Sequence, residues 1–331
     1  MSITNTSKSN KSGSDFFSNL MKKQEFIVFM VLVVLFVSMS FASPYFLKSQ
    51  NIFNILRNMS TIAIVGIGVT MIIVTAGIDL SLGSIVAVTA IVTARMLWVG
   101  MNPILAVLIG FLLGTGLGFI NGILIAKFKI PPFIATLGMM NVARGLTYFF
   151  ATGVKGAVAC NIEIKNSFIQ ALGGGHLGPI PLPVVEMVVL VIIFQWFLNH
   201  TTLGRQIYAL GSNREAARLS GVNITFVEIF VYTLTGALCS LAGLIYAGLL
   251  STAATNAGVG MEMDVIAAVA IGGASLAGGK GSIVGAVIGA AIMAIIKNAF
   301  VLLHLPTFIQ TMTLGVVVVL AVAADSFRNK N

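Results

Sequence analysis

The feature that most constrains this chain is a succession of apolar stretches, each about as long as a bilayer is thick. They fall at about residues 26–42, 60–77, 84–100, 103–126, 132–151, 184–199, 228–250, 264–279, 282–303 and 308–324, and short polar breaks separate them. A helix crosses the hydrocarbon core with about 20 apolar residues, so the pattern predicts an all-α fold, a polytopic transmembrane helical bundle of about ten spans. Composition agrees: 57% of the 331 residues are hydrophobic, 9% are charged and the mean hydropathy is +1.02, where a soluble domain carries about 25% charged residues. No segment between the stretches is long enough for a separate soluble domain.

The formal charge of +9 invites a nucleic-acid reading, but the basic residues are scattered between apolar segments and form no stripe. They fit membrane orientation instead. With ten crossings and a cytoplasmic N-terminus, Lys8, Lys11, Lys22, Lys23, Lys127, Lys129, Arg205, Arg214, Arg218, Lys280, Arg328 and Lys330 fall inside. Lys48, Arg57, Arg95, Lys155 and Lys165 fall outside, and Arg144 and Lys297 lie within spans. Both termini are then cytoplasmic. Residues 1–24 read as a disordered tail, 25–325 as the transmembrane domain with a cytoplasmic loop at 201–227, and 326–331 as a short tail. Ser40-Phe41-Ala42 faintly resembles a cleavage site, but the first apolar run exceeds the ~7–15 residues of a signal-peptide core and reads as a retained helix. Cys160 and Cys239 are the only cysteines; Cys239 falls in a span, which argues against a disulfide framework.

Small residues recur in the spans. Gly110, Gly114 and Gly118 form a ridge four residues apart, and such ridges let helix backbones approach closely; tight packing is favoured over a substrate groove. Gly83-Ser84-Ile85-Val86 recurs as Gly281-Ser282-Ile283-Val284. Either a parallel internal duplication or coincidence accounts for it.

Three groups of polar residues could carry chemistry. Asp79 and Ser81 lie in Gly77-Ile78-Asp79-Leu80-Ser81-Leu82-Gly83 between two spans. Asp79 can cap the following helix, whose N-terminus favours negative charge, or line a polar cavity at a discontinuous helix. The segment Gly272-Gly273-Ala274-Ser275-Leu276-Ala277-Gly278-Gly279-Lys280-Gly281 tempts a phosphate-loop reading and fails it. Ala274 stands where that motif has its first glycine, and Gly281, not Ser or Thr, follows Lys280. A tight cytoplasmic turn is expected there. Within or beside the spans stand Asn121, Asn141, Arg144, Gln195, Glu262, Asp264, Lys297, Asn298 and Gln310. Intramembrane polar groups are costly and mark pathways by default, so Asp79, Ser81, Asn141, Arg144 and Asp264 are the candidates for a translocation path. His176, His200 and His304 stand at no metal-ligand spacing, and no nucleophile–base–orienter trio is suggested. Neither a catalytic nor a metal site is expected.

The loop 201–227 carries Arg205, Arg214, Glu215 and Arg218. Ser212-Asn213-Arg214-Glu215 has the form of a capping box, and Gly221 that of a left-handed stop. Together they bracket a helix of roughly two turns, which cannot persist in water without a packing partner.

Glu215-Ala216-Ala217-x3-Gly221 resembles the cytoplasmic EAA-type motif of membrane subunits of binding-protein-dependent ATP-binding cassette importers. Gly77-Ile78-Asp79-Leu80-Ser81-Leu82-Gly83-Ser84, Phe133-Ile134-Ala135-Thr136-Leu137-Gly138 with Arg144-Gly145-Leu146, and Ser275-Leu276-Ala277-Gly278-Gly279-Lys280-Gly281 narrow the resemblance. They look like the ribose/xylose/arabinose/galactose branch of monosaccharide permeases, over about residues 25–325. That resemblance implies a sugar importer of the bacterial plasma membrane, surrounded by lipid, in which a second permease copy (identical or related) completes the pore. A cytoplasmic ABC ATPase subunit would hold the ATP and magnesium, with no cofactor on this chain, and an extracytoplasmic sugar-binding protein would deliver substrate. It also implies that Glu215, Ala216, Ala217 and Gly221 dock the ATPase, flanked by Arg214 and Arg218, with Leu219 adding to a small apolar surface. The competing expectation is an ion-coupled secondary transporter of a small polar solute, which would need no ATPase.

Overall fold

In the computed structural model, residues 24–154 and 159–328 are described, and they are predominantly helical. Residues 1–23 of the tail expected at 1–24, and with them Lys8, Lys11, Lys22 and Lys23, lie outside them, as do Lys155 and Lys330. Helices α1 (Gln24–Ala42), α2 (Ser49–Val74), α3 (Leu82–Trp98), α4 (Pro103–Ala126) and α5 (Pro132–Ala151) follow in order. A connection then holds β1 (Ile162–Glu163), α6 (Ser167–Gly174), β2 (His176–Leu177) and β3 (Ile180–Pro181). The chain continues through α7 (Leu182–His200), α8 (Thr202–Ser212), α9 (Arg214–Leu219), α10 (Ile224–Leu250), β4 (Thr252–Ala253), α11 (Met261–Ile271), α12 (Ile283–Leu302) and α13 (Thr307–Arg328).

Among the described residues six helices, α1, α2, α4, α7, α10 and α12, are long and apolar enough to cross a membrane; α3 and the 307–320 part of α13 are shorter apolar helices. The strands are two-residue pairs. β1 pairs antiparallel with β4, and β2 with β3 in a hairpin that contains His176, where an external loop is expected from sequence. The expected span at 264–279 is not one continuous helix. Its helix, α11, has 11 residues, about 16 Å at 1.5 Å per residue, or half a hydrocarbon core. Gly272, Gly273, Gly278 and Gly279 stop it: the last three have φ of +99°, +90° and +73°, in the left-handed region that glycine alone enters freely.

The core is built on α2, α3, α10, α11 and α12. Residues 60–74 of α2 are all buried, as are residues 82–94 of α3, so these two helices lie inside the bundle and read as continuous apolar runs. The ridge on α4 works as the spacing predicts. Gly110 lies against Thr93, Gly114 against Ser240 and Thr89, and a Cβ on Gly118 would stand 2.9 Å from the Cα of Gly236, so α4 and α10 meet backbone to backbone. Asn51 and Asn298, inside the bundle, are paired through reciprocal amide hydrogen bonds of 2.7 and 3.1 Å. The two copies of Gly-Ser-Ile-Val do not occupy equivalent places. Ser282 caps α12, accepting from the Gly285 N–H at 3.3 Å, whereas Ser84 lies inside the first turn of α3, after Ser81. The tetrapeptide is therefore no support for a duplication.

Candidate functional site

The loop 201–227 is two helices, not one. Thr201 caps α8, its hydroxyl accepting from the Gly204 N–H at 3.0 Å, and Gly204, Ile207 and Leu210 bury one face. The Tyr208 hydroxyl donates to the Gly281 carbonyl at 2.7 Å. Burial pushes that phenol above its ordinary range, and the charge of Glu25, at the start of α1, adds to the shift. Gly211 lies directly on the Val74 carbonyl, where a side chain would have no room. The Gly279 N–H donates to that same carbonyl at 2.9 Å. The last turn of α8 is thus seated on the end of α2 and on the glycine turn 272–282.

The short helix α9 corrects the capping-box expectation. Ser212 is still helical and its hydroxyl donates back to the Tyr208 carbonyl at 2.9 Å, the local back-bonding that competes with capping. Asn213 is the cap: its backbone is extended (φ −160°) and its side-chain oxygen accepts from the Ala216 N–H at 2.9 Å. Asn caps as well as Ser. The Glu215 carboxylate does not reach back but takes Arg218 at 2.6 Å on the surface. At the other end Gly221 is the left-handed stop expected, with φ +82°. Its N–H donates to the Arg218 carbonyl and that of Val222 to the Ala217 carbonyl, both at 3.1 Å, which is the Schellman arrangement. Leu219 is 78% exposed and Glu215, Ala216 and Arg218 are exposed with it, whereas Ala217 is 4% exposed and faces the protein's own core. Ala217 anchors α9 and is not part of its outer surface. Arg214 also turns inward, to Glu228 at the start of α10.

At the break between α2 and α3, Asp79 is 1% exposed and accepts from both the N–H (2.7 Å) and the hydroxyl (2.6 Å) of Ser81. Asn121 of α4 donates to the Ser81 hydroxyl at 3.0 Å, and Tyr232 of α10 to the Ile78 carbonyl at 3.1 Å. Asp79 therefore orders the entry to α3 in an Asx turn. This is a structural role beside Ser81, the N-cap residue of α3, and it is compatible with either of the two roles that the sequence leaves open.

The other path candidates are elsewhere. Arg144 is half-buried and one guanidinium nitrogen donates to the Thr255 and Ala257 carbonyls, both at 3.0 Å, tying α5 to the loop before α11. Asn141 is exposed at the middle of α5, its amide donating to the Leu137 carbonyl at 3.0 Å. Gly138 and Gly145 meet nothing within 4 Å. Asp264 of α11 is ion-paired with Lys297 of α12, beside a cavity of about 220 Å³ lined also by Asn58, Thr61 and Tyr246. Of the five candidates the structure brings only Asp79 and Ser81 together. Sequence reasoning missed α8, Tyr208 and Glu228. The apolar spacing of Ile207 and Leu210, and an acid opening an apolar span, were the signals available. No group of three or more His, Cys, Asp or Glu among the described residues could hold a metal.

Six helices long and apolar enough to cross a membrane, a glycine-bounded acidic break and a short capped helix define a multi-span helical membrane protein. Residues 51–322 match the family described as "Branched-chain amino acid transport system / permease component". The chain is 41% identical over 319 residues to the ribose import permease protein RbsC of Escherichia coli (strain K12), which covers 95% of this chain and 97% of that protein. It is 40% identical to RbsC of Bacillus subtilis (strain 168), over 90% and 91% of the two chains. To the D-allose transport system permease protein AlsC of Escherichia coli it is 35% identical, over 92% and 91%. No solved structure matches. The chain belongs to this family of ATP-binding cassette importer permeases, in the branch that holds sugar permeases. It is a multi-pass protein of the bacterial inner membrane and a transport subunit, not an enzyme, and its family works with an ATPase and a binding protein.

Proposed function

We propose that this chain carries a monosaccharide, a ribose-like pentose or a hexose, inward from an extracytoplasmic sugar-binding protein. ATP and magnesium bind on a separate cytoplasmic ATPase that docks on α9, and a second permease copy completes the pore. The observation that carries the reading is α9: a six-residue helix, capped at both ends, with Glu215, Ala216, Arg218 and Leu219 presented outward. Nothing among the described residues covers that face, and so short a helix is held only by packing. The face of α5 that bears Gly138, Asn141, Val142 and Gly145 supports a second copy, because an exposed amide at mid-helix among small residues needs a protein or a water-filled path beside it. The proximity of Glu25 to Tyr208 supports a cytoplasmic start of α1. About ten spans follow if α3, α5, α11 with its glycine turn, and α13 cross in addition to the six long helices. Reconstitution of the permease with the ATPase and binding protein in proteoliposomes tests this: D-ribose, D-allose or L-arabinose should enter only with ATP inside the ATPase compartment. Flux by the permease alone under a proton or sodium gradient would establish the ion-coupled alternative instead.

A further inference from the structure

We infer that Glu228 is a positioning residue for energy coupling: the Arg214–Glu228 ion pair is the latch by which the position of α9 is passed to the break at Gly77–Asp79. The inference rests on α9 being the ATPase-coupling helix.

Arg214, at the first position of α9, is 51% exposed, yet its guanidinium turns into the protein and donates to Glu228 at 2.6 Å. Glu228 lies in the second turn of α10 with its side chain 8% exposed, and its other carboxylate oxygen is buried without a partner. A buried charge of this kind is costly unless paired, and Arg214 is the cation that reaches it. Below the pair is a cavity of about 340 Å³, bounded by residues 75–77 of the break, Lys129, Arg214, Glu228 and Tyr232. On the far side of the hollow, Tyr232 stands one helical turn after Glu228, on the same face of α10. Its hydroxyl donates to the Ile78 carbonyl at 3.1 Å, and it lies 2.7 Å from where a Cβ on Gly77 would be. The next residue is Asp79, which orders α3.

The contact pattern around the coupling segment is therefore uneven. At Gly211 it is seated backbone to backbone on Val74, with no space for movement. Under α9, Ala217 packs on the core, while Arg214 borders the hollow, and its polar link there is one charge-assisted hydrogen bond to Glu228, the strong kind. A shift of α9 is passed inward at this point if the ion pair holds, and is absorbed by the hollow if it does not. The outer charge pair, Arg218–Glu215, connects α9 only to itself and has no such consequence.

The test uses the full complex of permease, ATPase and binding protein in proteoliposomes, with D-ribose as the probe sugar, and reads sugar moved per ATP hydrolysed. Arg214→Gln, Glu228→Gln and the double variant are each expected to keep ATPase co-purification and ATP hydrolysis while sugar per ATP falls about fivefold or more, the lower end of typical coupling factors. The double variant should be no worse than either single one, the non-additivity of a shared link. A merely structural pair would lower stability and leave the ratio unchanged in the complexes that survive. Unchanged sugar per ATP in Arg214→Gln overturns the latch, as do additive losses. So does loss of the ATPase from Arg214→Gln, which would make Arg214 a docking group. If Glu228→Gln fails to assemble, Arg214→Gln, at a half-exposed position, decides alone. Wild-type flux that needs no ATP would overturn the importer reading itself, a different failure visible before any variant is made.

Discussion

Replacing Asn213 by alanine should loosen α9, and replacing Ser212 should not. The Asn213 side-chain oxygen takes the Ala216 N–H at 2.9 Å, one of the few donors at the start of a helix only six residues long. Loss of an asparagine cap costs about 1 kcal/mol, which is roughly a fivefold change in the equilibrium between formed and frayed helix. In a long helix that change would be confined to the first turn. In α9 the first turn is most of the element, so the whole outward surface of Glu215, Ala216, Arg218 and Leu219 is affected. Amide hydrogen exchange at residues 216–222 in nanodiscs should accelerate by about that factor in Asn213→Ala. The apparent affinity for the ATPase should fall by a similar one. Ser212→Ala removes only a back-bond from the last turn of α8 to Tyr208 and should leave both unchanged. Equal effects of the two substitutions, or a larger effect of Ser212→Ala, would refute the assignment of the cap to Asn213 and restore the capping box.

Two other substitutions address the frame around that helix. Gly211→Ala places a methyl group on the Val74 carbonyl and the Gly279 amide, so the complex should lose ATPase binding and thermal stability together; Gly116→Ala, with open space around it, should do neither. Arg144→Met removes the two 3.0 Å hydrogen bonds to Thr255 and Ala257 and leaves those carbonyls without that donor, a loss of about 1.5–3 kcal/mol for bonds to a charged group. Limited proteolysis should then cut the 251–260 loop faster in proteoliposomes, and sugar flux should drop.

The sequence carried the bundle plainly because length and apolarity are properties of single segments: each long helix declares itself in about 20 residues. Where it misled, the deciding contact lay far away in the chain. The helix expected over 264–279 stops at Ile271 because Gly273, Gly278 and Gly279 take left-handed conformations, with the Gly279 N–H donating to the Val74 carbonyl at the end of α2. The four residues shared by Gly83–Val86 and Gly281–Val284 open different parts of a helix turn. Ser212 has the right spacing for a capping box and loses the position because α8 runs through it. The surroundings of Asp79 are set by Ser81, which donates to it, and by Asn121 of another helix, which donates to Ser81. Glu228 was hardest to find: one carboxylate in the first turns of an apolar helix, given meaning by an arginine fourteen residues earlier.

Those distant contacts converge. The Val74 carbonyl ends α2, receives the Gly279 amide and supports Gly211 at the end of α8. Three breaks in three helical runs are therefore one junction, and no side chain separates its members. Backbone contact of this kind transmits displacement with little slack, since protein interiors are packed to the density of organic crystals and rearrange between discrete states rather than deforming smoothly. The glycines at 211, 278 and 279 are thus not signs of looseness. They remove the side chains that would hold α8 away from the end of α2 and from the glycine turn after α11. The interruptions in turn let α3 and α11 differ from simple spans, α3 entering behind Asp79 and α11 spanning half a core. A continuous helix in either position would leave α8 seated on the ends of rigid rods, and the short helix α9 would have nothing but the bundle as a whole to act upon.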